Sequence, residues 1–247
     1  MGEVGPMRNR PDLLLAELHA HSTWSDGCLP IPALVDLYGS HGVDVLCITD
    51  HVHPPDDPWA RLGVPADRFG EYVAEIEGEA ERAREQYGLL VLPGSELTVN
   101  HADPDLAAHA VAVGLRSYVS LVEGLERGLV AARDAGAALV AAHPSGAATP
   151  EEPVGATRRF SRELEALGGL VDRFELINGH RAYGWVAEAQ LPAVAAGDFH
   201  RIEHLFGWKT LLPCAREEQA VVDCLRSEAR LHLAPFSPRA APARLAA

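Results

Sequence analysis

The chain has 247 residues, 47% of them hydrophobic, so it can bury a large core, and we expect a single domain over residues 1–247 with its core at about 13–230. The formal net charge of −14 argues against a binder of long nucleic acid, which would present basic patches to several phosphates, and favours a small-molecule partner. No run approaches the roughly 20 apolar residues of a membrane span, so we expect a soluble, cytoplasmic protein with no membrane partner.

Short apolar runs alternate along the chain with longer segments of helical periodicity. The apolar runs predict buried strands at residues 13–18, 43–48, 89–92, 110–114, 138–142, 173–177 and 193–196. The periodic segments predict helices at residues 31–40, 66–87, 120–135 and 161–167. This alternation is typical of an α/β barrel or an open α/β sheet. The prolines of segments 52–65 and 144–156 indicate loops. The tail from Ala234 onward, rich in Ala, Pro and Arg, is expected to be a loosely held terminus.

Histidines and acidic residues follow five of the predicted strands. They form the short motifs His19-Ala-His21 with Asp26, Asp50-His51, Gly94-Ser-Glu96, His143-Pro, and Asp198-Phe-His200. In an α/β barrel the carboxyl ends of the strands form one rim, so side chains at these positions converge although they are far apart in sequence. Imidazole and carboxylate groups are ligands for Zn, Mn or Fe. The motifs therefore predict a divalent metal site at this rim.

The ordered set of motifs resembles that of the PHP (polymerase and histidinol phosphatase) superfamily. The resemblance spans residues 17–200 and includes Ser25-Asp26-Gly27, Ile48-Thr49-Asp50-His51, Ala142-His143-Pro144 and Gly197-Asp198. It implies a distorted (β/α)7 barrel that carries two or three divalent metal ions at the carboxyl rim of its strands. Carried over position by position, it also implies nine metal ligands: His19, His21, Asp26, His51, Glu96, His109, His143, Asp198 and His200.

The resemblance further implies how these ligands divide. Glu96 would bridge two ions, and the ions would be held by three sets of residues: His19, His21, Glu96 and Asp198; Glu96, His109 and His143; and Asp26, His51 and His200. We assign catalytic roles to Glu96, Asp198 and His200. Asp198 and a histidine near the cluster are alternative proton donors to the leaving group.

His109 does not fit a simple parallel barrel, because it precedes the apolar run at 110–114 instead of following it. We expect residues 97–99 to extend the strand beyond Glu96, so that the chain returns and 110–114 runs antiparallel to its neighbour. His101 competes with His109 for the ligand role. The family pattern of a histidine that opens an apolar strand favours His109.

Two residues near His51 have alternative interpretations. Asp50 is predicted to orient the imidazole of His51, with a cap of the following loop as the alternative. His53 either lines the pocket or lies in a solvated loop.

Four arginines are candidate phosphate anchors, because a guanidinium can bind phosphate oxygens through two hydrogen bonds. They are Arg158, Arg159, Arg181 and Arg201. Arg181 and Arg201 are the better placed, since Arg201 adjoins His200 and Arg181 follows Asn178. Asn178 ends a predicted strand and is expected to face the pocket as a substrate-binding residue.

The expected activity is hydrolysis of a small phosphate ester by a metal-bridging hydroxide, with two ions clamping the attacking and leaving oxygens. One alternative is a metal-dependent hydrolase of carboxylic or carbamic esters, because the same cluster would polarise a carbonyl group. Another is a non-catalytic metal-binding module. Modules of that kind often lose ligands, whereas all nine positions here keep a histidine or a carboxylate.

Overall fold

A computed structural model describes residues 13–147 and 155–236 as a mixed α/β fold around one curled sheet. The strands are β1 (Leu14–Glu17), β2 (Val45–Ile48), β3 (His51–Val52), β4 (Leu90–Val99), β5 (Ala108–Val113), β6 (Ala138–Ala142), β7 (Arg173–Asn178), β8 (Arg181–Ala182), β9 (Ala193–Ala196), β10 (Trp208–Leu212) and β11 (His232–Pro235). The helices are α1 (Ile31–Ser40), α2 (Phe69–Tyr87), α3 (Leu125–Asp134), α4 (Arg159–Arg162), α5 (Leu164–Leu167), α6 (Gly184–Glu188) and α7 (Glu218–Arg226). Within the described ranges, no helix is both long and apolar enough to cross a bilayer.

The sheet has both parallel and antiparallel neighbours. Its strand order is β11-β10-β1-β2-β4-β5-β6-β7-β8, with β3 beside β4 and β9 beside β7. Strands β1, β2 and β4 are parallel neighbours, as are β6, β7 and β9. Strand β5 is antiparallel to both β4 and β6, and β10 is antiparallel to β1. The arrangement is consistent with a distorted barrel in which β5, β8 and β10 run against their neighbours.

Backbone hydrogen bonds join the segments that follow β1 and β9. The N–H of His21 donates to the carbonyl of Phe199 at 2.9 Å, and the N–H of Phe199 donates to the carbonyl of His19 at 3.2 Å. Ala20 and Phe199 form an isolated parallel bridge between them. Two segments that lie far apart in the sequence and carry candidate ligands are thus fixed side by side.

Both faces of the sheet are covered, which explains why its strands are continuous apolar runs. Leu15 of β1 belongs to a cluster that packs α1, α2 and α3 against one face. Its neighbours Leu14 and Ala16 belong to a second cluster that includes α7 on the other face. Successive side chains of a strand point to opposite faces, so β1 contributes to both clusters.

The predicted strands all overlap observed ones, and the helix predictions need local corrections. The segment 66–87 begins as a 3-10 turn and becomes α2 only at Phe69, while 120–135 is helical over α3 alone. The segment predicted as one helix at 161–167 is divided between α4 and α5, which begins at Leu164. Glu96 lies inside β4 rather than after a strand, because β4 continues to Val99. The predicted return and reversal of β5 is confirmed.

The prediction of a loosely held tail from Ala234 is wrong for the part of the tail that the structure describes. Ala234 and Pro235 belong to β11 and pair with Lys209 and Trp208 of β10, so the ordered core extends past residue 230. Residues 237–247 lie outside the described ranges, as do 148–154 of the loop predicted at 144–156.

Candidate metal centre

The structure brings the nine predicted ligand residues together at one edge of the curled sheet. They come from the segments after β1, β6 and β9, from β3, and from the interiors of β4 and β5. Three groups of side chains have ligand atoms within 4.8 Å of one another: a first of His19, His21 and Glu96; a second of Glu96, His109 and His143; and a third of His21, Asp26, His51 and His200.

The first group, His19, His21 and Glu96, is joined by Asp198, and its inner ligand atoms are buried. His19 Nε2 lies 3.5 Å from both Glu96 Oε2 and Asp198 Oδ1. His21 Nε2 lies 3.5 Å and 3.4 Å from the same two oxygens. None of these four atoms is exposed or has a well-aligned hydrogen bond to a described residue, although Glu96 Oε2 also lies 2.8 Å from His51 Nδ1. Buried polar atoms are almost always paired, so four orphaned atoms around one point indicate that a ligand belongs there.

The second group uses the other oxygen of Glu96. Glu96 Oε1 lies 3.1 Å from His109 Nδ1 and 3.1 Å from His143 Nε2. Because its two oxygens face different groups, Glu96 has the geometry of a bridging carboxylate. His109 reaches it because the antiparallel register of β5 pairs His109 with Thr98, two residues past Glu96. The competing His101 is exposed and accepts a hydrogen bond from the N–H of Asp103.

The third group is the most open of the three. Asp26 Oδ1 lies 3.4 Å from His51 Nε2 and 3.2 Å from His200 Nε2, and the Asp26 side chain is 39% exposed. His21 Nδ1 is 3.8 Å from the same oxygen, so His21 faces both this group and the first.

The histidine pKa values fall into two sets. Burial lowers the pKa of His21 to about 3, with the charges of His51 and His200 adding to the effect. Burial also lowers the pKa of His109 to about 4, although Glu96 opposes it. For His51 burial is outweighed by the carboxylates of Glu96 and Asp26, which raise the pKa to about 9.

The same contacts shift the pKa values of His200 and Glu96. For His200 burial is outweighed by the nearby carboxylates of Asp198 and Asp26, which raise the pKa to about 11. Burial would raise the pKa of Glu96, but the charges of His51 and His19 hold it well below its usual range. Without metal and at neutral pH, the cluster therefore combines ionised carboxylates with protonated His51 and His200 and with neutral His21 and His109.

Two of the converging residues have strained backbones. His143 has φ 32° and Asp198 has φ 52°, in the left-handed region that residues with a Cβ seldom adopt. Such conformations cost about 1–3 kcal/mol each and persist where the surrounding structure holds them. Both residues follow buried strands, β6 and β9, that fix the chain before the turn.

Residues around the cluster fix which ring nitrogen faces inward. The Nδ1 of His19 hydrogen-bonds Glu175 Oε1 at 2.9 Å, which leaves Nε2 pointing into the first group. The Nε2 of His109 is 3.1 Å from Asn100 Oδ1, which leaves Nδ1 toward Glu96. Outer hydrogen bonds of this kind orient histidines that bind metals.

The sequence motifs do not include Glu175, although its carboxylate makes three contacts at the metal centre. Besides His19, its carboxylate accepts the backbone N–H of His143 at 2.6 Å and the side-chain amide of Asn178 at 2.8 Å. The available signal was an acidic residue inside an apolar run predicted as a buried strand. A buried carboxylate needs hydrogen-bond donors, so its position alone pointed to a polar site.

The prediction that Asp50 orients His51 is wrong. Asp50 instead accepts hydrogen bonds from the N–H and hydroxyl of Ser22, at 2.8 and 2.7 Å, and from the hydroxyl of Ser25 at 2.5 Å. It therefore holds the turn that leads to Asp26. The Nδ1 of His51 lies 2.7 Å from the hydroxyl of Thr98, which takes the orienting role.

The predicted substrate-binding residues have different surroundings. Arg158 is paired with Asp105 at 2.5 Å, and Arg159 is paired with Glu126 and Glu163. The guanidinium groups of both arginines therefore already bind carboxylates. Arg181 and Arg201 are exposed, and neither has an ion pair with a described residue. Asn178 is half-buried, and its amide is bonded to Glu175.

Known structures share this fold. A two-domain protein from Bacteroides vulgatus that contains a predicted PHP-like metal-dependent phosphoesterase matches 90% of this chain and 64% of its own, at 22% identity and TM-score 0.68. A candidate metal-dependent phosphoesterase from Bifidobacterium adolescentis matches 75% of this chain and 87% of its own, at 17% identity and TM-score 0.50. An amidohydrolase from Chromobacterium violaceum, with bound sulfate and no metal, matches the same shares at 15% identity and TM-score 0.50.

These likenesses concern the fold. Neither a family model nor a curated protein matches the sequence. This chain spans 64% of the length of the Bacteroides protein. At these identities the comparisons show a shared fold, which is the fold of a protein described as containing a PHP-like domain.

Proposed function

From a fold shared with PHP-like metal-dependent phosphoesterases, we propose that this chain is a metal-dependent phosphoesterase acting on a small phosphate ester. The observation that carries the proposal is the convergence of nine histidine and carboxylate side chains, four of whose inner atoms lack a well-aligned hydrogen bond to a described residue. We further propose that the curled sheet is a distorted (β/α)7 barrel with its metal ions at the carboxyl rim.

The distances in the first group fit a divalent ion. Four ligand atoms about 2.0–2.2 Å from a shared ion in tetrahedral geometry are about 3.3–3.6 Å from one another. The contacts of His19 and His21 with Glu96 and Asp198 are 3.4–3.5 Å. The donors are imidazole and carboxylate without thiolate, which suits Zn, Mn or Fe.

The chain's own residues supply the other requirements of the reaction. His19, His21, Glu96 and Asp198 would hold one ion, Glu96, His109 and His143 a second, and Asp26, His51 and His200 a third. Bound ions would activate water and neutralise phosphate charge. Asp198 and His200 lie 3.3 Å apart at the half-buried side of the cluster, where one of them would donate a proton to the leaving oxygen.

Removal of metal tests the proposal directly. We expect chelated protein to lose phosphatase activity and added Mn or Zn to restore it, because the proposed nucleophile is water that the ions would activate. The measurement is turnover of phosphomonoesters, cyclic and diester phosphates, and carboxylic esters by metal-loaded and chelated protein. Full turnover without metal contradicts the mechanism, and turnover of carboxylic esters alone favours the alternative ester hydrolase.

We propose that Arg181 or Arg201 supplies counter-charge to the phosphate dianion, since both are exposed and lack ion pairs with the described residues. A charge-assisted hydrogen bond contributes about 1.5–3 kcal/mol, so replacement of the contributing arginine by alanine lowers kcat/KM for phosphomonoesters about 10- to 150-fold. Metal content stays unchanged, because guanidinium does not ligate metal. Arg127→Ala, at an exposed arginine on α3, is the control. Full activity in both single variants and the double variant rules this role out.

A further inference from the structure

A cavity of about 200 Å³ opens beside the metal centre. The cluster residues Asp26, His51 and His109 form one side of it, and His53, Trp59 and Leu62 form another. A phosphoryl group on the cluster would therefore have this cavity next to it. The part of the substrate that extends from the phosphorus atom is the leaving group.

Two polar side chains of the cavity, Asn100 and Thr98, are already paired. Asn100 donates its amide to Asp57 Oδ2 at 3.1 Å, and its oxygen lies 3.1 Å from His109 Nε2. The hydroxyl of Thr98 lies 2.7 Å from His51 Nδ1 and donates to the carbonyl of Glu96. These groups have little capacity left for the hydroxyls of a sugar, each of which needs a partner when buried.

The other walls are rings and an aliphatic side chain. His53 is buried and has no hydrogen bond to a described residue, although its Nδ1 lies 3.5 Å from Asp57 Oδ2. Trp59 is 55% exposed and Leu62 is 38% exposed, although both are large and apolar. Exposed apolar side chains that line a cavity beside a polar cluster are suited to cover an apolar part of a ligand.

The volume limits the size of that part. A cavity of about 150 Å³ holds benzene, whereas pockets for drug-sized ligands are about 300–1,000 Å³. The cavity has room for one aromatic ring, whereas a base joined to a sugar would extend out of its mouth. Ring stacking on Trp59 would use the arrangement that aromatic pairs prefer.

We propose that this cavity binds the leaving group and selects a single aromatic ring, so that the substrate class is a monocyclic aryl phosphate. This inference rests on the proposed phosphoesterase function. In the reaction, the oxygen of water bonds to phosphorus and the bond from phosphorus to the phenolic oxygen breaks. A proton from water passes to the phenolate, and the products are a phenol and inorganic phosphate.

The test compares phenyl phosphate with glycerol 3-phosphate on the metal-loaded protein. We expect a higher kcat/KM for phenyl phosphate, and Trp59→Ala should reduce it about 3- to 10-fold, the loss expected for one aromatic contact. Turnover of glycerol 3-phosphate should not change. Phe206→Ala is the matched control, because Phe206 is 48% exposed and does not line the cavity. Unfolding temperatures of both variants establish that they fold.

A binding measurement separates this inference from the proposed function. Calorimetry with phenylphosphonate and methylphosphonate should show tighter binding of the phenyl compound, and Trp59→Ala should remove the difference. If no ester is hydrolysed but this difference is found, the proposed function fails and the ring site stands. If esters are hydrolysed but phenyl and methyl compounds bind equally, or Trp59→Ala has no effect, the ring site is overturned and the function stands.

Discussion

Glu175 joins two parts of the candidate metal centre without pointing into it. Its two oxygens contact the ring of His19 and the backbone of His143, whose φ is positive. It therefore sets the tautomer of one histidine and holds the turn that presents another. At the scale of single residues, the sequence motifs predict the ligands themselves. Glu175, which orients one of them, is predicted only as part of a strand.

Replacement of Glu175 by glutamine tests this orienting role. The amide keeps the shape but cannot accept hydrogen bonds on both sides, so either His19 or His143 loses its partner. We expect metal affinity to fall about 10- to 100-fold, the usual cost of losing such a partner. The measurement is competition with a chelator of known affinity. Glu165→Gln, at an exposed position, is the control, and equal affinities for the two variants contradict the role.

At the scale of elements, apolar runs predicted the strands well because burial on both faces removes polar residues from them. Strand β10 was missed because Lys209 interrupts its apolar pattern. Lys209 is nonetheless fully buried and pairs with Glu17 of β1 at 2.8 Å. In a sequence a buried lysine looks like a surface residue, so the local apolar pattern does not indicate that residues 208–212 form a strand. The sequence of α7, by contrast, has the apolar spacing of an amphipathic helix, with Val221, Val222 and Leu225 on its buried face.

The ion pair lies against Gly197. A Cβ on Gly197 would be 2.3 Å from Glu17 Oε2, 2.8 Å from Lys209 Nζ and 3.0 Å from the carbonyl of His204. We expect Gly197→Ala to lower the free energy of unfolding by about 1–3 kcal/mol, because a crowded buried site must shift to admit a methyl group. Chemical denaturation is the measurement. Gly184→Ala is the control, since no atom lies within 4 Å of its Cβ position.

At the scale of the whole molecule, the division of the cluster's pKa values links its protons to stability. The pKa values of His51 and His200 in the folded protein, about 9 and about 11, exceed the ordinary value of about 6.5. Proton binding at these residues therefore stabilises the metal-free fold below about pH 6.5, and this stabilisation is lost as the pH rises through 9 toward 11.

Metal should remove this dependence, because a ligating imidazole is already deprotonated. We expect the Tm of chelated protein to fall between pH 7 and pH 10, while the Tm of metal-loaded protein is higher and changes less. Thermal unfolding of both forms across this range is the measurement. Parallel curves for the two forms would show that these histidines do not exchange protons for metal.

The hydrogen bonds between the segments after β1 and β9 have a consequence for how the molecule folds. The N–H of Gly197 donates to Glu17 across 180 positions of the chain. Contacts this distant form slowly, since a long loop must close before they contribute. During synthesis, the first metal group stays incomplete until Asp198 has left the ribosome and reached His19. Metal uptake by a growing or refolding chain would therefore report one of the last steps of folding.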